Sequence, residues 1–348
     1  MSMRPIRAVV YGLGKVGVVV VRLLREKGVE IVGAFNRAGP KVGRNLAEFA
    51  ALAEPFNLTI REAKPGCLDG VSADVAIVSV FDDMKRMDQI YRECLMARMN
   101  VITVGAEASY PWRAEPALTA GLDRLAKEKG VSITGTGNQD MLIVNAPALL
   151  TGACRSIRSI THRSVTNVDN YGPEVARVVH VDEAPEAVRA AKPAPDSPLQ
   201  HGIYVYFWDN LAADLGLTIT RIREGLEPIV AAAPLHCAAL GKTIASGRAI
   251  GTMQLIDIET REGIAFKGRN AVRVLKKGES EQKTWQIRGE PNLTLRFGGL
   301  DGNLTTPVQM VARIPDIINA PPGYVTIEQL PKLVYRNRPL HHYVHGLR

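Results

Sequence analysis

The sequence predicts an α/β protein of two domains. Residues 1–141 read as a doubly wound parallel sheet. Residues 142–304 read as an α+β domain on an open, mostly antiparallel sheet, and the segment from about 305 to 348 is free to pack back onto the first domain. Three observations predict this. The 348 residues exceed what one hydrophobic core usually holds. Up to about residue 141, short apolar runs alternate with helix-like stretches, the pattern of parallel strands joined by right-handed crossovers. After about residue 155 the texture changes to successive strand-like runs with few helices between them.

In chain order, Ile6–Tyr11 is an apolar run followed by glycines and a helix-like stretch, Lys15–Lys27. Glu30–Phe35 is a second strand, and a helix from about Gly43 to Leu52 follows. Asp74–Val80 and Asn100–Val104 are further strands, separated by helical periodicity over Met84–Met99. Helix 114–129 leads to strand Ser132–Thr134. These strands are continuous apolar runs because a parallel sheet is buried on both faces. Beyond them, Arg158–Thr166, Val175–Val181, Gly251–Ile258, Gly263–Phe266, Ala271–Leu275, Thr284–Ile287 and Leu293–Phe297 read as strands. Helices are expected at 140–153, 183–192, 202–223 and Thr306–Ala320, the last stopped by Pro321-Pro322-Gly323. A proline-rich stretch at 191–198 looks like a linker.

Composition narrows the function. Hydrophobic residues are 46% and charged residues 22%, ordinary for a globular protein. The net charge is +8, which fits either a solvated basic surface or an anionic ligand. Aromatics are only 5% and no run of five basic residues occurs, which argues against nucleic acid. Cys67, Cys94, Cys154 and Cys237 form no CxxC pair, and the histidines lack zinc spacing, so no metal site is expected. With no leader pattern and no apolar run near 18 residues, the expectation is a cytoplasmic protein without a membrane segment.

Gly12-Leu13-Gly14-Lys15-Val16-Gly17 is a GxGxxG directly after a strand and opening a helix. Gly12 permits the tight turn, Gly14 the close approach of a pyrophosphate, and Gly17 the packing of helix on strand. This is the fingerprint of a Rossmann dinucleotide site. Strand 2 ends in Asn36-Arg37, where an NAD-selective site usually carries an acid for the ribose 2′-hydroxyl. Arg37 suits a 2′-phosphate, with Lys41 and Arg44 nearby, so NADP is expected. Asn36 can still bond a free ribose hydroxyl, which keeps NAD open, and a plain basic loop is the alternative. Phe81 should lie at the cofactor edge. Asp82 and Asp83 either join it there or cap the helix that follows.

Gly105-Ala106-Glu107-Ala108-Ser109-Tyr110-Pro111-Trp112 follows the next strand and opens into the same crevice, with Gly105 on the cofactor side. Glu107 is the catalytic candidate, and Tyr110 and Trp112 are substrate-side neighbours that exclude water. A capping or surface glutamate is the alternative. Gly135-Thr136-Gly137-Asn138-Gln139-Asp140 follows strand 132–134. Asn138 and Gln139 are placed to bond a nicotinamide carboxamide, or the segment is simply a turn with Asn138 or Asp140 as a cap.

These residues, with the C-terminal ones, resemble the 2,4-diaminopentanoate dehydrogenases and the related native amine dehydrogenases, within the wider dihydrodipicolinate reductase-like group. Tyr11–Gly17, Glu107–Trp112 (Glu-x-x-Tyr-Pro-Trp), Leu215-Gly216-Leu217 through Glu227-Pro228, and Thr305–Pro315 with Pro322-Gly323 carry the resemblance. It implies a Rossmann domain, a homodimer that pairs the second domain's sheets, and reversible NAD(P)-dependent oxidative deamination of an amine. It also places the glutamate at 107 beside the substrate nitrogen. The partners implied are a small amine or carbonyl compound and ammonia. The chain departs from the family's common Asn-Pro-Gly by reading Asn138-Gln139-Asp140, and Asp140 is an extra carboxylate that favours a cationic substrate. True 4-hydroxy-tetrahydrodipicolinate reductases carry a His-His pair and a Lys-x-Asp-x-Pro-Ser-Gly-Thr segment. Here the only His-His is His341-His342, without that segment.

In the second domain, His162, Arg163, Tyr171 and His180 are the substrate-side candidates, against the alternative of core or interface histidines and an Arg163 that merely holds Asp169. Trp208 and His236 read as packing residues. Two other functions remain open on the residues alone. One is reduction of a cyclic imine or carbonyl without ammonia, and the other is a non-catalytic NADP sensor or scaffold.

Overall fold

The computed structural model describes residues 4–54, 56–191 and 205–346. The chain forms two compact units, one of residues up to Asn145 together with Gly302 onward, the other Ala146–Asp301.

The first unit begins with β1 (Arg7–Tyr11), α1 (Lys15–Glu26), β2 (Glu30–Asn36), α2 (Leu46–Phe49), β3 (Arg61–Glu62), β4 (Val75–Val78), α3 (Met84–Met96), β5 (Asn100–Thr103), α4 (Pro116–Lys129) and β6 (Ser132–Gly135). The second unit holds α5 (Ala146–Thr151), β7 (Ser156–Asn167), α6 (Pro173–Val178), α7 (Pro185–Ala190), α8 (Val205–Asp214), β8 (Ile219–Val230), β9 (Leu235–Cys237), β10 (Lys242–Ile244), β11 (Ala249–Thr260), β12 (Ala265–Arg273), β13 (Gln282–Glu290) and β14 (Leu293–Gly298). The chain then returns to the first unit with α9 (Gly302–Ala312), α10 (Ile314–Asn319) and β15 (Gly323–Tyr324).

The first sheet runs β3-β2-β1-β4-β5-β6-β15 and is parallel throughout. That is the doubly wound order, with its switch point between β1 and β4, where such sheets bind ligands. Alternate residues of β1 point to opposite layers. Ala8 and Val10 pack with Val20, Val21 and Leu24 of α1 and with Met310, Ile314 and Ile317 of the returning helices. Val9 and Tyr11 pack with Met84, Met87 and Tyr91 of α3 and Leu122 and Ala126 of α4. Burial on both faces is the reason β1 and β4 read as unbroken apolar runs.

The second sheet, β14-β13-β7-β12-β11-β8, is antiparallel except for the parallel β7–β12 pair. On one face Trp208 of α8 stacks on Phe266 at 5.0 Å and meets Trp285 edge-on at 5.4 Å. On the other, Arg163, Lys267 and Arg288 are exposed.

The predicted fold class holds, and several elements differ. Val175–Val181 is not a strand. Pro173 at the first turn starts α6, which ends at Val178. The helix expected at 202–223 ends at Asp214, Gly216 turns the chain at φ +67°, and β8 begins at Ile219. Residues 202–204 of that expectation, and all of the proline-rich 191–198 stretch except Ala191, lie outside the described residues. Gly263–Phe266 and Ala271–Leu275 belong to one strand, β12, with its surrounding turns. The 140–153 helix opens with a π-helical turn, Asp140–Asn145, before α5. The 306–320 helix is two helices, because Pro315 has no N–H to continue the ladder past Arg313. Among the described residues no helix is long and apolar enough to cross a membrane.

Candidate active site

The glycine loop after β1 is built to a tight specification. Gly12 has φ +85°, and a Cβ there would lie 2.3 Å from the Ser79 carbonyl oxygen. A Cβ on Gly17 would lie 1.9 Å from the Gly12 carbonyl oxygen. Both are packing requirements of the turn itself. Gly14 is different, since a Cβ there would meet nothing within 4 Å. The space over Gly14, at the N-terminus of α1, is where a pyrophosphate fits, and Gly14 puts no capping side chain in the way.

The end of β2 braces this loop. Asn36 Oδ1 accepts the Leu13 N–H at 3.1 Å and its Nδ2 donates to the Arg37 carbonyl at 3.1 Å. Asn36 therefore shapes the loop from within, instead of reaching out to a ribose. Arg37 is exposed beside it. Lys41 Nζ donates to the Leu13 carbonyl at 2.7 Å, which carries a second cation to the glycine loop. Arg44 lies over the Phe49 ring at 4.9 Å. Phe81, 37% exposed, is covered by the Arg86 guanidinium at 3.6 Å from its centroid.

Beyond β5 the chain turns through Gly105 into a short 3₁₀ turn, Glu107–Ser109. Glu107 Oε2 accepts the N–H of Met84, the first residue of α3, at 2.9 Å. The positive end of that helix and its N–H thus hold the carboxylate. Asp83 caps the same helix by accepting the Arg86 N–H at 2.9 Å, whereas Asp82 turns the other way and accepts the Ala106 N–H at 3.2 Å. Asp82 as a residue is exposed, yet desolvation of its carboxyl raises the pKa, and the Ala106 N–H pulls against that. Tyr110 is half-buried. Trp112 packs edge-on against Tyr324 at 6.1 Å, and the Tyr324 hydroxyl donates to the Ala108 carbonyl at 2.7 Å. Burial pushes the Tyr324 phenol's pKa well up, so it stays a donor.

The turn after β6 sits against this loop, for a Cβ on Gly135 would lie 2.3 Å from the Ala108 carbonyl carbon. Here Asn138 Oδ1 and Gln139 Nε2 are buried with no hydrogen-bond partner among the described residues. An orphaned acceptor beside an orphaned donor is the complement of a primary carboxamide, which offers an NH₂ and a C=O. The nicotinamide head group fits that demand.

Asp140 does not face a substrate. It is fully buried, and Arg313 binds it through two bonds of 2.7 Å, with Thr136 at 2.7 Å and Asn145 at 2.5 Å completing the set. Arg313 also donates to Asp316 at 3.1 Å and to the Pro331 carbonyl. The ion pairs raise the Arg313 pKa against the desolvation that opposes them. Gln309 Oε1 accepts the Met141 N–H at 2.7 Å. Sequence reasoning missed Arg313. Its signal was a lone charge inside the apolar stretch Met310–Ile314.

The second unit's four candidates do not converge. His162 is a core residue, 1% exposed, with its ring 4.4 Å from Trp285. Burial, with Lys283 adding to it, lowers its pKa to about 3, so it is neutral. Arg163, next in the same strand, faces the opposite side and is exposed. It does not hold Asp169, whose carboxylate accepts the Ala239 N–H at 2.9 Å. Tyr171 is exposed after a 3₁₀ turn. His180 ends no strand. It has φ +58° after α6 and pairs with Glu183 at 3.0 Å. Among the described residues no group of three or more His, Cys, Asp or Glu is arranged to hold a metal ion.

A glycine turn open to a pyrophosphate, a carboxamide-complementary turn and a carboxylate between them define a Rossmann-type NAD(P)-dependent oxidoreductase. The C-terminal domain of 2,4-diaminopentanoate dehydrogenase matches residues 139–335, and the chain belongs to that family. It is 28% identical over 344 residues to a 2,4-diaminopentanoate dehydrogenase of Acetoanaerobium sticklandii, covering 94% of both chains. The structure of an amine dehydrogenase from Mycobacterium smegmatis superposes with a TM-score of 0.87 at 38% identity, over 96% of this chain and 98% of that one. A biliverdin reductase from Synechocystis, solved with biliverdin and NADP⁺, shares the fold alone, at a TM-score of 0.54 and 12% identity over 98% and 96% of the chains.

Proposed function

We propose that this enzyme catalyses the NADPH-dependent reductive amination of a small carbonyl compound with ammonia, and the reverse oxidative deamination of the amine. The observation that carries the reading is Glu107, fixed by the Met84 N–H beside the turn that bears Asn138 and Gln139. Gly12–Gly17 would hold the pyrophosphate, Arg37 and Lys41 the 2′-phosphate, and Asn138 and Gln139 the carboxamide. The bound dinucleotide supplies hydride in one direction and accepts it in the other.

Glu107 takes a proton from ammonium, and the ammonia released adds to the carbonyl carbon. The protonated Glu107 then delivers its proton to the hydroxyl of the adduct, which departs as water and leaves an iminium carbon ready for hydride. One ammonium and one further proton are consumed per turnover, and the carbonyl oxygen leaves as water. Tyr110 and Trp112 line the approach and limit access of bulk water, which keeps the iminium from hydrolysing.

The open face of the second sheet favours a homodimer that covers it, since an uncovered sheet face and its edges invite association. The described cysteines are all unpaired, in keeping with a reducing cytoplasm. The deciding experiment follows NADPH oxidation across ketones, aldehydes and oxo acids, with and without ammonium. Turnover that requires ammonium supports amination. Turnover that ignores it makes this a carbonyl or imine reductase, and no turnover with any carbonyl returns the sensor reading.

A further inference from the structure

The loops that follow β4 and β5 lock one another. Asp82 in the first accepts the backbone N–H of Ala106 in the second, at 3.2 Å, while Glu107 in the second accepts the backbone N–H of Met84 in the first, at 2.9 Å. The two bonds fix different things. The Met84 bond sets the direction of the Glu107 side chain. The Ala106 bond sets the path of the backbone from which that side chain springs.

Within the loop the Gly105 N–H donates to Thr103 Oγ1 at 3.3 Å and the Ser109 hydroxyl to the Ala106 carbonyl at 2.7 Å, while the Asp82 bond ties its Ala106 N–H to the loop after β4. The residue preceding Ala106 is Gly105, packed closely enough that a Cβ would lie 3.4 Å from the Phe81 carbonyl oxygen and 3.5 Å from the Tyr91 hydroxyl. Gly105 contributes no side chain of its own. Nor is Asp82 needed to begin α3, because Asp83 already caps it. The Asp82 carboxyl therefore serves the Ala106 N–H of the neighbouring loop and not the start of α3.

Resting on the reading of Glu107 as the proton-transfer group, we propose that Asp82 is a positioning residue whose carboxyl oxygen holds the Gly105–Glu107 backbone in the reactive geometry. The role requires an acceptor at that point, not a charge, so asparagine can fill it and alanine cannot.

The test compares wild type, Asp82→Asn and Asp82→Ala. Hydrogen exchange of segment 104–109 is read on the protein without substrate, and kcat and NADPH affinity are read separately. Asp82→Ala should speed exchange of that segment by about fivefold or more, the size of one ordinary hydrogen bond. Its kcat should fall by about 10- to 100-fold, as a displacement of the order of 1 Å can cost. Its NADPH Kd should stay within about threefold of wild type. Asp82→Asn should restore both exchange and kcat to within about threefold. Unchanged exchange in the alanine variant, or an asparagine variant no better than alanine, overturns the proposal. Glu107→Gln measured alongside separates the two ideas. If it keeps wild-type turnover, the reading of Glu107 falls, and the positioning role falls with it. If it is inactive while Asp82→Ala turns over normally, only the positioning role is wrong.

Discussion

Replacing Arg313 by methionine isolates the energetic centre of the first unit. Arg313 and Asp140 are both fully buried, and Arg313 closes two bonds of 2.7 Å onto that carboxylate. Without the guanidinium, Asp140 keeps only Thr136 and Asn145 as donors. Asp316 still has Arg336, at 2.5 Å. One uncompensated buried carboxylate is therefore the main consequence, and breaking a buried pair from one side costs about 3–5 kcal/mol. For a domain of 150–250 residues that is a fall in Tm of roughly 6–20 °C, at about 2–4 °C per kcal/mol. The double variant Asp140→Asn, Arg313→Met removes the stranded charge and should recover more than half of the loss, because neutral replacement of both partners is far milder. Calorimetry on the three proteins at one pH measures this. A double variant as unstable as Arg313→Met would refute the reasoning, since lost packing and not a stranded charge would then be responsible.

Glu107→Gln should lower turnover by about 10²–10⁴-fold with NADPH affinity nearly unchanged, and retention of more than about a tenth of the rate removes Glu107 from proton transfer. Arg37→Asp should weaken NADPH binding by about 10- to 100-fold and reverse the preference over NADH; fluorescence titration with both dinucleotides reads it, and equal wild-type affinities left unmoved by the change count against a 2′-phosphate site. Because the His162 pKa falls from 6.5 to about 3 on folding, the unfolded chain takes up that proton first, so stability declines as pH drops below about 6.5 and goes on declining to about 3. His162→Gln should flatten that decline in a Tm series between pH 7 and 4, and an unchanged slope would mean the acid sensitivity lies elsewhere. Sedimentation at micromolar concentration should show a dimer, and a monomer would leave the open sheet face without its expected cover.

What the sequence reveals here follows from what each element buries. β1 and β4 are legible because both faces of a central parallel strand are apolar. β8 is nearly invisible, since as an edge strand it is half-buried or exposed along its whole length, with neither an apolar run nor a clean alternation. Its first residues, Ile219–Arg223, accordingly read as the end of the helix before it. α6 is under two turns, too short for a 3.6-residue period to separate from alternation. In the site, the glycine turn and the loop of Glu107 are local features, so position in the strand order was enough to place them. Asp140 misled because its partner lies 173 residues away, and no local pattern says that a carboxylate will be met by an arginine from the turn between α9 and α10. Asn36 misled for a nearer reason. Its amide looked outward in sequence terms, and folding turned it onto the glycine loop.

The return of the chain to its first unit has a consequence for synthesis. A nascent chain usually completes its domains in the order they leave the ribosome. Here the contiguous unit of Ala146–Asp301 is whole before the one that precedes it, because α9, α10 and β15 are translated last. Until they arrive, the layer of Ala8, Val10, Val20 and Leu24 lacks Met310, Ile314 and Ile317, and Asp140 has no guanidinium. The nucleotide fold therefore spends the translation of its neighbour as an unfinished sheet with an apolar flank, and that interval is when a chaperone has most to hold.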